Sequence, residues 1–80
     1  MKSYNELIVE ALKLHGGVAT LEDIYSYIYD HRNEVNSLSP DYQHTARGRI
    51  RELKKRGIIE TIAKAKYRLI IDNSLSMKSS

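Results

Sequence analysis

The chain has no cysteine, no tryptophan and no phenylalanine, and it contains a single proline and four glycines among 80 residues. Without cysteine there is no disulfide and no thiolate metal site, which suits a reducing cytosol and places the protein in the cytoplasm. Apolar runs are short, Leu69-Ile70-Ile71 being typical, so a membrane span is excluded. The N-terminus is polar and lacks the apolar stretch of a signal peptide. Eighty residues make one domain, near the smallest size that folds by packing alone. A serine-rich stretch without periodicity, residues 73–80, reads as a C-terminal tail on a domain of residues 1–72.

Catalytic and cofactor signals are equally scarce. His15, His31 and His44 fall on different elements and no pair has ligand spacing, so no metal is expected. Gly16-Gly17 lacks the neighbouring lysine of a phosphate loop. Ser39 stands before Pro40 at a helix start, which accounts for it structurally, and no nucleophile–base pair is evident. The sequence therefore points away from an enzyme and from any cofactor.

What is present is charge, unevenly spread. From Arg47 to Arg68 the chain has nine basic residues against Glu52 and Glu60, a net of +7, whereas residues 1–46 hold three basic against seven acidic, a net of −4. The overall +3 conceals two halves of opposite sign. Such asymmetry points to a polyanionic partner, most often nucleic acid.

The order of elements can be read locally. Ser3 with Glu6 forms a capping box, and Tyr4, Leu7, Ile8, Ala11 and Leu12 follow at helical spacing until Gly16-Gly17. Val18-Ala19 is a short extended link. Thr20 caps a second helix with Asp23 in the box position, and Leu21, Ile24, Tyr25 and Ile28 form its buried face. That helix fades near His31–Asn33, and a polar loop over residues 33–38 follows. Ser39-Pro40 predicts the start of a third helix, with Tyr42, Ala46, Ile50 and Leu53 on one face and Gly57 as its stop. Ile58–Ile62 and Tyr67–Ile71, separated by a short turn, read as a β-hairpin.

At about 100° per residue, a core-facing Ala46, Ile50 and Leu53 put Asp41, His44, Gly48, Arg51 and Lys55 on the opposite face of the third helix. Arg47 and Lys54 lie on one flank, with Gln43 beside them. Arginine can donate two parallel hydrogen bonds to guanine, and both basic types neutralise phosphates. The hairpin adds Lys64, Lys66 and Arg68. A plainer reading makes the helix charges a solvated face and the hairpin lysines guards of an exposed strand edge. Of the six tyrosines, Tyr4, Tyr25, Tyr42 and Tyr67 fall on apolar faces and are expected in the core. Tyr27 and Tyr29 flank the buried face and are expected to be partly exposed.

The stretch Ala11 to Ile24, the helix Ala46 to Gly57 and the Tyr67-Arg68-Leu69 ending together resemble a winged helix-turn-helix over roughly residues 3–72. The nearest likeness is to small winged-helix domains of prokaryotic restriction and regulatory proteins. The resemblance implies an α+β fold of three helices and a hairpin wing. It also implies a third helix in the major groove, a wing on the flanking phosphates, and a role in transcription regulation or DNA targeting. On that reading the DNA-binding residues are Gln43, His44, Arg47, Gly48, Arg51, Lys54, Lys55, Lys64, Lys66 and Arg68. The loop between the second and third helices is longer than the tight turn of simple helix-turn-helix proteins. Some restriction-class winged helices read methylated adenine in an aromatic pocket, and resemblance alone raises that option here. Alternatives are a protein-docking module of the transcription-associated or viral-inhibitor kind, and RNA or single-strand binding. A homodimer is possible for so small a domain, although no heptad announces one.

Overall fold

The computed structural model describes residues 2–35 and 40–70. Three α-helices, α1 (Tyr4–Leu14), α2 (Leu21–Asp30) and α3 (Tyr42–Lys55), combine with three strands, β1 (Val18–Thr20), β2 (Ile59–Ala63) and β3 (Lys66–Leu69). The fold is α+β, and this arrangement is compatible with a winged helix.

Both predicted capping boxes form. The Ser3 hydroxyl accepts from the Glu6 N–H while the Glu6 carboxylate accepts from the Ser3 N–H, and Thr20 and Asp23 repeat the exchange at α2. Each cap satisfies orphan N–H groups and is worth about 1 kcal/mol at the Ser or Thr position. At the other end, α3 closes with the Ile58 N–H on the Leu53 carbonyl and the Gly57 N–H on the Lys54 carbonyl. Gly57 has φ +76°, the left-handed conformation this closure needs.

The start of α3 differs from the sequence expectation. Pro40 is not the first helical residue. It lies in the turn before the helix, and Asp41 is the cap, although its side chain makes no capping bond. The Asp41 carbonyl accepts from both His44 and Thr45, so the helical ladder begins there. Ser39 lies outside the described residues. The polar loop also begins later than expected, because Arg32–Glu34 forms a 3₁₀ turn and Val35 behind it is buried in the core.

Leu7, Ile8, Ala11 and Leu12 of α1, Ile24 and Ile28 of α2, and Ala46, Ile50 and Leu53 of α3 meet in one core with Ala19, Val35 and Ile59. Burying each large side chain contributes about 1.5–3 kcal/mol before chain entropy is subtracted. The four tyrosines expected inside are only half-buried: Tyr4, Tyr25, Tyr42 and Tyr67 pack against the core from its margin, as Tyr27 does. Their hydroxyls explain the position, since a phenol at the margin keeps its polar end wet.

The extended link at residues 18–19 is a full participant in the sheet. Strand order is β1-β3-β2, all antiparallel, with Val18 opposite Arg68 and Ala19 opposite Tyr67. On the other side Glu60 faces Arg68 and Thr61 faces Tyr67, and a bulge falls between Thr61 and Ala63. Tyr67 and Leu69 turn toward the core while Arg68 and Ile70 are exposed, the alternation the sequence predicts. Ile71 and the serine-rich tail lie outside the described residues.

Candidate nucleic-acid interface

Helix α3 has the rotational phase that the sequence implies. Ala46, Ile50 and Leu53 are almost fully buried, and Gln43, His44, Arg47, Gly48, Arg51, Lys54 and Lys55 are all exposed. Two contacts fix one flank of the helix in the fold. The Arg47 guanidinium reaches the Tyr25 hydroxyl of α2 at 3.5 Å, and the Lys54 ammonium donates to the Thr61 hydroxyl of β2 at 3.2 Å. That flank therefore looks toward α2 at one end and the hairpin at the other.

The hairpin itself is short and anchored. Its turn, Lys64-Ala65, is tight, with Ala65 at φ +55°, and the Ala65 carbonyl accepts from the Leu21 N–H at the start of α2 at 2.8 Å. Lys64 and Lys66 are exposed at this tip. The hairpin tip is thus a fixed corner of the molecule beside the α2 N-terminus and the hairpin flank of α3.

Charge pairing separates the candidate residues. Arg68 forms an ion pair with Glu60 across the strands, as their register dictates, so its charge is already answered within the fold. Among the described residues, none of Arg47, Arg51, Lys54, Lys55, Lys64 and Lys66 enters an ion pair. The contacts place Arg47 and Lys54 on the flank of α3 between α2 and the hairpin, with Lys64 and Lys66 at the hairpin tip beside the α2 N-terminus. Arg51 and Lys55 are exposed on the same helix, and Arg68 lies on the exposed face of the sheet.

Gly48 stands in open space, and an added Cβ would meet nothing within 4 Å. It lines a shallow open depression of about 310 Å³ together with His44, Thr45, Arg49 and Glu52. Arg49 and Thr45 were not candidates on sequence, because their wheel positions are closer to the core-facing side. Arg49 is nevertheless exposed and unpaired. Its place next to Gly48, where no side chain crowds it, was the available signal.

The acidic half is arranged differently. Lys2 bridges Glu10 at 2.9 Å and Glu34 at 3.0 Å, and the Tyr27 hydroxyl donates to Glu10 at 3.0 Å. The Glu10 carboxyl is held below its ordinary range, first by the hydrogen bond from Lys2, against a smaller opposing effect of burial. The Asp23 carboxyl is lowered by the Thr20 backbone N–H and then its hydroxyl. Burial, then the bond to Glu10, pushes the Tyr27 phenol up. Among the described residues no group of three or more His, Cys, Asp or Glu side chains could hold a metal ion. No helix among them is long and apolar enough to cross a membrane.

Comparison with protein-family models, with curated proteins and with solved structures finds no match for this chain.

Proposed function

We propose that the chain binds double-stranded DNA, with α3 in the major groove and the Lys64–Lys66 corner on flanking phosphates. It would act by occupancy, as a transcription regulator or a DNA-targeting module, and not by chemistry. The observation that carries the reading is that, among the described residues, the cations of α3 and of the hairpin tip are exposed and outside any ion pair, with Arg47, Lys54 and the tip facing the same corner of the fold. Cations gathered on one surface without internal carboxylate partners have phosphate as their natural counterion. In this arrangement Arg47 and Arg51 are the candidates for base edges, and Lys54, Lys55, Lys64 and Lys66 for backbone. Arg68 contributes less than the sequence suggests, because Glu60 competes for it.

Titrating a labelled random-sequence duplex with the full chain at several salt concentrations tests this. With roughly four to six phosphates neutralised, the log–log slope should be about −4 to −5. Lys64→Ala and Lys66→Ala should each reduce the slope by about one and weaken all sequences alike. A flat salt response, or no binding at low ionic strength, would reject the DNA reading in favour of protein docking. Tighter binding to single strands or duplex RNA would move it to another nucleic acid.

A further inference from the structure

On the side of α2 next to the start of α3 lies an open cavity of about 490 Å³, within the size range of small-ligand sites. Its walls include Tyr25 and Tyr29 of α2 and Tyr42 of α3. The Tyr25 and Tyr42 rings meet edge to face, at 80° with centroids 6.4 Å apart, and Tyr29 lies tilted against Tyr42 at 6.1 Å. Glu22 and Asp30 line the same cavity from α2. Residues three, four, seven and eight apart share a helix face, so one helix delivers both carboxylates and two of the rings.

Among the described residues, neither carboxylate is in an ion pair. This contrasts with Glu10, Glu34 and Glu60, each of which has a cation within the fold. Aromatic faces attract cations through the ring quadrupole, and alkylated ammonium groups are the ligands that gain most from several rings at once. The molecule already uses one of these rings in that way. Arg32, which does not line the cavity, seats its guanidinium 4.3 Å from the Tyr29 centroid.

We propose that the cavity between α2 and α3 binds an alkylated ammonium group, with the three tyrosine rings around the cation and Glu22 and Asp30 supplying countercharge. A phosphate or a nucleotide is disfavoured by the two carboxylates, and a purely apolar ligand would gain nothing from them, since both are exposed to solvent. The ammonium has two possible carriers, a free small molecule or a methylated lysine in a peptide. The proposal does not need the DNA reading, although Gln43 lines the cavity and Arg47 reaches the Tyr25 hydroxyl at its edge; its test contains no DNA, so the two can fail separately.

Amide and aromatic NMR shifts of the full chain, titrated with tetramethylammonium chloride against sodium chloride of equal ionic strength, read the site directly. Shifts confined to Tyr25, Tyr29, Tyr42 and their neighbours are expected, saturating with a dissociation constant on the order of 1–10 mM. Tyr29→Ala, at a position 48% exposed, and the double variant Glu22→Gln with Asp30→Asn should each weaken binding at least about fivefold. The second variant retains every ring, so a folding defect in the first does not leave the question open. A peptide carrying trimethyl-lysine that binds at least about tenfold tighter than tetramethylammonium would assign the peptide as carrier. Equal affinities would assign a free small molecule. Equal shifts from neutral tert-butanol or N6-methyladenosine would overturn the proposal. So would equal binding of the unmethylated peptide, unchanged binding by the carboxamide variant, or no shift beyond the salt control.

Discussion

The two halves of this molecule handle charge in opposite ways. In the N-terminal half, Lys2, Glu10, Glu34 and Tyr27 close a network on themselves and Glu6 and Asp23 are spent on helix caps, with Glu22 and Asp30 at the cavity outside any ion pair among the described residues. In the C-terminal half, one cross-strand pair, Glu60 with Arg68, is closed, while the other eight cations between Arg47 and Lys66 are in no ion pair among the described residues. Charges that find partners inside the fold position its parts. Charges gathered without partners are a cost of self-repulsion that the fold alone does not explain. The difference separates residues that hold the structure from residues available to a ligand.

The largest effect is expected from reversing charge on the open side. Arg47→Glu with Arg51→Glu should lower duplex affinity by about 100-fold or more at low salt, since each base-reading arginine is worth about 1–3 kcal/mol. The melting temperature should fall little, because both side chains are exposed, neither is ion-paired, and only the long 3.5 Å bond from Arg47 to Tyr25 is lost. Fluorescence anisotropy and a thermal melt on the same sample check both halves of the claim. Affinity retained in this variant would remove α3 from the interface.

Gly48→Ala comes next, because it sets stability against binding at one position. Glycine within a helix costs about 1 kcal/mol relative to alanine. The new methyl meets no neighbour, so the variant should gain about that much, or about 4–8 °C in melting temperature. If the helix backbone approaches DNA at this depression, the same methyl should weaken binding. A stabler protein with undiminished affinity would show that the helix makes no close approach there.

The closed side should respond to pH instead. The Glu10 carboxyl is lowered in the folded state, so its contribution is present above the ordinary carboxylate range and is lost as pH falls through the lowered value. Lys2→Gln removes the main cause. The variant should melt below the parent at neutral pH, and the gap should narrow steadily on acidification. DNA affinity should be indifferent to the change. A gap independent of pH would mean that Lys2 acts through packing of its stem and not through Glu10.

How much of this division was legible in the sequence follows from how local each feature is. The caps at Ser3 and Thr20, the stop at Gly57 and the buried stripe Ala46, Ile50 and Leu53 depend on neighbours within a turn or two, and all of them form. The sequence places the start of α3 too early because Ser39-Pro40 is a strong local signal that competes with Asp41, whose carbonyl begins the ladder. Pairing of Val18–Thr20 with β3 joins segments nearly fifty residues apart, and no periodicity records it. The candidate site divides in the same way. The helical face of Arg51 and Lys55 follows from phase alone, whereas the neutralisation of Arg68 depends on a cross-strand register that places Glu60 opposite it. The tyrosine cavity was least legible, since Tyr25 and Tyr42 read as core and only the packing of α2 on α3 turns their rings toward a common space.

The smallest effect concerns the joint between the two halves. Ala65 holds φ +55° at the hairpin turn while its carbonyl accepts from Leu21 at the head of α2. A non-glycine residue in the left-handed region costs roughly 1–2 kcal/mol. Glycine would relieve that cost but would enlarge the entropy of the unfolded chain by about 0.4–1 kcal/mol. Ala65→Gly should therefore stabilise the fold by about 0.5 kcal/mol, which a denaturant melt with an unchanged slope would register. The substitution leaves every charge in place and keeps the carbonyl that meets Leu21, so the salt dependence of DNA binding should not move. Loss of stability would instead mean that the Ala65 methyl holds the turn against α2, and that the corner carrying Lys64 and Lys66 is fixed by packing as well as by its hydrogen bond.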